Sequence, residues 1–304
     1  MPTDPQPLPS RFLRTPFLVA DALEQGVGRE RLRRKDLAAP ARGVRVPADR
    51  LAFIDTALAH GLLLRPDQHF SHTTAARLWS APLPRLFAAP NSELHVSTTG
   101  SGPVERRQGV IGHRVRPSRA DVTTVFGVRV STPAAFWYEC RTLLSLRALV
   151  ILGDHLVGVG RLASPAQLAA TIHPGDRAVV LARAALDLVR VGAESPMETI
   201  VRLIVVEAGF PEPDLNADVF DASGRFIGRV DMAWVELRIA LEYDGDHHRT
   251  DRDTFSHDRT RGNAFTVASW LTIHVTAKDA HHPSDFLERL REAFALRQRN
   301  GVPR

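Results

Sequence analysis

Four carboxylates in the last third of the chain, Glu198, Asp231, Glu242 and Asp244, have the type and spacing to hold a hard divalent cation. Asp231 sits inside the apolar run Phe226-Ile-Gly-Arg-Val-Asp-Met-Ala233, where a structural role for a charge is hard to find. Glu242 ends the buried-strand pattern of Arg238-Ile-Ala-Leu-Glu-Tyr-Asp-Gly245. Strand side chains alternate with period two, so Asp244 faces the same side as Glu242. Carboxylates at the ends of adjacent strands can converge on one ion without distorting the sheet. Like charges that close repel unless a cation sits between them. Magnesium accepts a few carboxylates and keeps several waters. Such a centre neutralises developing charge and lowers the pKa of an attacking water, which is what phosphodiester hydrolysis requires. The sequence therefore predicts Asp231 and Glu242 as primary ligands of Mg2+ or Mn2+. Glu198 would be a third ligand or a holder of ligand water.

The elements that must position these acids follow from periodicity. Ser195-Pro-Met-Glu198 opens a helix whose apolar positions Val201, Ile204, Val205 and Ala208 recur until Gly209 stops it. Ser195 with Glu198 three residues later also makes a capping box, with Pro196 at the first helical position. Glu198 thus serves as cap partner or as ligand. Two strands carry Asp231 and Glu242, a charged helix spans Asp251 to Ala268, Leu271-Thr-Ile-His-Val-Thr276 forms a third strand, and a helix from Pro283 to Arg299 closes the domain. The order is αβββα with a helix inserted before the third strand. Asp244-Gly245 also reads as a turn. His247 and His248 fit a surface turn, and Asp258 with Arg261 fit an ion pair on one helix face.

At 304 residues the chain has room for two or three domains. With 44% apolar and 24% charged residues it matches a globular composition. Cys140 is the only cysteine, which excludes an intrachain disulfide and a cysteine zinc site. The apolar stretch Leu143 to Val159 is broken by Arg147, Asp154 and His155 and is too short to span a bilayer. No signal-peptide core opens the chain, so a cytoplasmic protein is expected. The net charge is +5, and 37 of the 39 basic residues are arginine, lysine occurring only at Lys35 and Lys278. A GC-rich genome accounts for that bias, and arginine also suits phosphate contacts. The excess is mild and compatible with nucleic acid.

Residues 1–14 read as a disordered lead-in. A helical pattern from Pro16 to Leu23, a turn at Gly26 and Gly28, a basic helix over Arg29–Leu37 and a short strand in Ala41-Arg-Gly-Val-Arg-Val-Pro47 give the order of a winged helix-turn-helix over 15–66. Arg33, Arg34, Lys35 and Arg42 would then meet DNA phosphates; the alternative is a solvated basic helix. A mixed α/β domain follows over 67–188. It includes a helix capped by Ser71, strands at Leu94–Ser97 and Val110–Val115, and a helical stretch from Pro133 to Val159. His72, His95 and His113 stand on separate elements without ligand spacing and are predicted to be structural.

Two resemblances add to this reading. Leu32-Arg-Arg-Lys-Asp-Leu37, Arg42-Gly-Val-Arg-Val-Pro47 and Phe70-Ser-His-Thr-Thr-Ala-Ala-Arg-Leu-Trp79, with Ser131-Thr-Pro-Ala134 and Leu152-Gly-Asp154, resemble AbiEi-type antitoxin proteins of actinobacteria. That likeness implies a winged-helix domain ahead of the α/β middle domain. Ala240-Leu-Glu-Tyr-Asp-Gly-Asp-His-His248, Asp258-Arg-Thr-Arg261 and Ser269-Trp-Leu-Thr-Ile-His-Val-Thr276 resemble a family related to the very-short-patch-repair endonucleases of the PD-(D/E)XK superfamily. It implies a restriction-endonuclease-like αβββα fold over 189–304. It also implies His248 as proton carrier, and Arg249, Arg261 and Lys278 as phosphate contacts. The chain departs from that pattern at Asp244, where the motif has lysine, at His274, where relatives often carry arginine, and at Ser269, where they have glycine. The expected fold class is thus multidomain α/β. The leading function is a magnesium-dependent DNA endonuclease targeted by the N-terminal domain. The alternative is a non-catalytic DNA-binding regulator of antitoxin type on a degenerate nuclease fold. A structural partner in a toxin–antitoxin or phage-defence system is a third.

Overall fold

The computed structural model describes residues 7–89, 92–221, 223–245 and 263–300. The chain is mixed α/β and divides into two compact units: Met1–Leu144 with Ala166–Ala182, and Ser145–Pro165 with Arg183–Arg304.

The first unit begins with a small sheet. β1 (Phe17–Leu18), α1 (Val19–Glu24), β2 (Leu37–Ala38) and β3 (Val44–Pro47) form the antiparallel order β1-β3-β2 over a core of Phe12, Phe17, Ala22, Leu32 and Leu37. The basic helix expected over Arg29–Leu37 is absent; the segment makes only a short 3-10 turn at Arg31–Arg33. Leu32 and Leu37 are both buried five residues apart. A helix would turn them roughly 140° away from each other. The turn instead puts both into the core, and the Arg31 guanidinium grips Asp36 with two hydrogen bonds of 3.0 and 2.7 Å. The helix α2 (Phe53–Gly61) follows.

A five-stranded sheet follows, built from β4 (Gln68–Phe70), β5 (Leu94–Thr98), β6 (Val110–Arg114), β7 (Val122–Val125) and β8 (Val128–Ser131) in the order β6-β5-β4-β8-β7. Between β4 and β5 runs α3 (His72–Leu78), and after β8 comes α4 (Pro133–Cys140). The stretch expected to be one helix from Pro133 to Val159 is two. The chain turns at Arg141–Leu144, and the Ser145 hydroxyl restarts it by accepting the Ala148 N–H at 3.3 Å.

That second helix, α5 (Leu146–Val157), is part of the C-terminal unit, although the sequence predicts a boundary after residue 188. Buried Asp154 is the physical reason. Its carboxylate accepts the Arg202 guanidinium at 2.9 Å, the Thr199 hydroxyl at 2.9 Å and the Arg190 N–H at 2.8 Å. Arg202 and Thr199 lie on α6 (Pro196–Glu207). Burial raises the Asp154 pKa even against that arginine. Unpairing two groups so enclosed would leave a bare charge in the core.

The C-terminal sheet has β9 (Asp214–Phe220), β10 (Phe226–Trp234), β11 (Ile239–Asp244) and β12 (Leu271–Thr276) in the order β12-β11-β10-β9. β9, β10 and β11 are antiparallel neighbours, and β12 runs parallel to β11. β9 escapes the sequence pattern because Asp214, Asn216 and Asp218 disfavour strands and only Val219 is fully buried on this edge. The described part of the charged helix, 263–267, is helical. α7 (Ala277–His281) and α8 (Ser284–Asn300) close the chain. Phe286, Leu287, Leu290, Ala293 and Phe294 recur at helical spacing on α8 and pack with Val201, Val205, Met232, Leu241 and Val275. Among the described residues no helix is long and apolar enough to cross a membrane.

Candidate functional site

Asp231 and Glu242 stand where the pairing of β10 and β11 stops. The antiparallel ladder runs Trp234↔Ile239, Ala233↔Ala240 and Met232↔Leu241, and the next step would set Asp231 opposite Glu242. At that step the Asp231 carboxylate itself accepts the Tyr243 N–H at 2.7 Å. A side chain thus takes the Tyr243 amide where the β10–β11 pairing stops, with a carboxylate-bearing residue on each strand at that point. Asp231 and Glu242 are half-buried, and Asp244 at the strand end is exposed.

Glu198 reaches the same neighbourhood from α6. Ser195 Oγ accepts the Glu198 N–H at 3.2 Å, so the predicted N-cap exists. The return bond goes one residue further back than a capping box would have it, with Glu198 Oε2 accepting the Glu194 N–H at 2.7 Å. Glu198 is buried, at 8% exposure, and burial raises its pKa, with the charge of Asp231 pushing the same way. Asp231 is therefore close enough for its charge to be felt. Glu198 keeps its cap role while standing beside the fork.

The departures from the nuclease pattern meet each other. β11 and β12 pair in register with Glu242 beside His274, and His274 Nδ1 lies 3.2 Å from Asp244 Oδ1. Where the motif has lysine, the chain has an acid contacted by a histidine. Lys278 is exposed on α7. His247, His248, Arg249, Asp258 and Arg261 lie outside the described residues. In the N-terminal unit Arg33, Arg34, Lys35 and Arg42 are exposed, with Glu30 3.7 Å from Arg33.

The three histidines predicted to be merely structural come together. His72, at the start of α3, His95 on β5 and His113 on β6 each place a ring nitrogen within 4.8 Å of the other two. Among the described residues no other group of three histidine, cysteine or acidic side chains does so. Burial lowers the pKa of all three, with His113 adding to the shifts of His72 and His95, and His95 falls to about 4. They are neutral at pH 7. The spacing 72, 95 and 113 carried no signal because pairing in a parallel sheet, rather than proximity along the chain, brings β5 and β6 together.

No family model matches the chain, and no solved structure matches it. Two uncharacterised proteins, from two strains of Mycobacterium tuberculosis, are each similar at 30% identity over 161 residues, 53% of this chain. The match covers 59% of each relative's own length.

Proposed function

We propose that the C-terminal unit is a magnesium-dependent DNA endonuclease acting in the cytoplasm, and that the N-terminal unit brings it to DNA. The single observation that carries this reading is the β10–β11 fork, where Asp231 and Glu242 stand on the two strands just past their last paired residues and Asp231 is fixed by the Tyr243 N–H. The donor set is hard oxygen, which suits Mg2+ or Mn2+. Asp231 and Glu242 would hold the ion, with Glu198 behind them. When bound, magnesium supplies charge neutralisation on the phosphodiester and a more acidic attacking water. The chain's own contribution is rigidity: the Tyr243 amide fixes one Asp231 oxygen, and the Glu194 amide fixes Glu198. His248 as proton carrier, and Arg249, Arg261 and Lys278 as phosphate contacts, belong to this proposal. In the N-terminal unit exposed Arg33, Arg34, Lys35 and Arg42 meet phosphates in a winged-helix-like mode. Without a recognition helix at 29–37, that contact reads the backbone of DNA more than its bases.

The test is cleavage of supercoiled and mismatched DNA by the full chain with Mg2+ or Mn2+. Wild type nicks or cuts, and Asp231→Ala and Glu242→Ala do not. Equal cleavage by all three sinks the proposal. A second reading, a DNA-binding regulator of antitoxin type with a protein partner, is favoured by one observation. Asp244 stands at the lysine position with His274 at 3.2 Å. It expects metal-independent DNA binding that weakens steeply with salt, and no cleavage.

A further inference from the structure

We propose that His72, His95 and His113 form a binding site for a divalent transition metal of the zinc class. The ligand type separates it from the acidic fork. Imidazole nitrogen suits zinc, cobalt, nickel and copper, whereas magnesium takes oxygen. Three protein nitrogens leave a fourth tetrahedral position for water or a ligand.

The geometry is close to closure. His95 Nδ1 and His113 Nε2 are 2.8 Å apart in a ring-to-ring hydrogen bond. Around a tetrahedral ion with bonds near 2.1 Å, ligand nitrogens stand about 3.4 Å apart. That pair therefore opens by roughly half an ångström on binding, and the proton it shares moves to the other nitrogen of the same ring. The His72 ring stacks on His113 with centroids 3.8 Å apart, so modest rotation about its side-chain torsions swings a nitrogen toward the same point.

The surroundings hold the rings as ligands are usually held, through bonds from neighbouring polar groups. His72 Nδ1 is 2.9 Å from Ser71 Oγ, which accepts the Ser97 hydroxyl at 2.8 Å. Ser71 caps no helix amide, so its hydroxyl is committed to this chain. Glu139 lies alongside; its Oε2 accepts the His72 N–H at 2.9 Å and its Oε1 accepts the Ser131 hydroxyl at 3.0 Å. His72 itself has φ +51°, a left-handed conformation that a side chain with a Cβ rarely adopts. Backbone of this kind clusters at functional sites, where the surroundings enforce it. The serines and Glu139 do so here.

The test uses the full chain, stripped with a chelator and titrated with Co2+. One equivalent binds and gives the strong visible bands of a four-coordinate ion, which Zn2+ then displaces. His113→Gln and His95→Asn each weaken binding by about tenfold or more, and Glu242→Ala leaves the bands unchanged. X-ray absorption of the zinc-loaded wild type shows imidazole scattering from the metal shell. An all-oxygen shell, absence of the bands at one equivalent, or unchanged binding in both histidine variants overturns the proposal. If the histidine variants fail to fold, the wild-type absorption spectrum still decides between nitrogen and oxygen ligands.

Discussion

In the C-terminal unit Asp231, Glu242 and Asp244 stand on two neighbouring antiparallel strands, half-buried to exposed. In the N-terminal unit His72, His95 and His113 come from a helix start and two parallel strands, with His72 and His95 buried. The acids stand where the pairing of β10 and β11 stops, half-buried to exposed. The imidazoles give up their charge to burial and are packed ring on ring. Hard oxygen suits magnesium chemistry, and neutral nitrogen in an enclosed site suits zinc-class binding.

The sharpest way to break this comparison is at Asp231. Asp231→Ala lowers metal-dependent DNA cleavage by at least about a hundredfold in single-turnover assays. Asp231→Asn is equally inactive yet keeps an acceptor for the Tyr243 N–H, so its urea midpoint stays near wild type. If Asn restores cleavage, charge at the fork is not what matters.

Acidification tests the buried histidines of the N-terminal unit against Glu198. His69 and His95 have folded pKa values of about 4, pushed down first by burial. Their neutral forms favour the folded state fully above the unfolded value near 6.5, and that contribution is lost as pH falls through the window from about 6.5 to about 4. Glu198 is shifted the other way, so its contribution is present at low pH and is lost as pH rises through its raised pKa. Going from about pH 7.5 to about pH 5 therefore costs the N-terminal unit on the order of 1 kcal/mol or more. The C-terminal unit loses less, because among the described residues His155 on α5 is its only histidine whose pKa burial lowers, against several in the N-terminal unit. Hydrogen exchange on peptides from β5 and β11, corrected for intrinsic rates, reads the two separately; equal loss in both contradicts the assignment.

A smaller effect separates the cap from the ligand at Glu198. Ser195→Ala removes the acceptor of the Glu198 N–H and destabilises the protein by about 1 kcal/mol in urea unfolding. Cleavage stays unchanged if the cap is independent of the fork. The smallest effect is at the surface: Arg33→Ala and Arg42→Ala each reduce the slope of log affinity against log salt by about one, without changing sequence preference.

The strands carrying the acids were legible because burial writes itself into consecutive residues. Leu241 and Ala240 are fully buried, and the apolar run ends at Glu242. The helix of Ser195 and the closing helix were legible from a cap and a 3.6-residue period. β9 was not, because an edge strand with one well-buried side chain leaves almost no pattern. The turn at Arg31–Arg33 was not either, since five basic residues around Leu32 look the same in a helix and in a turn. Ser71 was read as a cap, but its hydroxyl serves His72 and Ser97 instead.

By itself the sequence determined the mixed α/β class, the helix opened by Ser195, the strands that carry Asp231, Glu242 and residues 271–276, and the closing helix. These depend on local periodicity and neighbours a few residues away. Tertiary structure decided that Asp154 ties 145–165 to the C-terminal unit, that Asp231 takes the Tyr243 amide where the β10–β11 pairing stops, and that three histidines meet. Each of those depends on strand register or on packing between residues tens of positions apart, and neither is encoded in the spacing of any single segment.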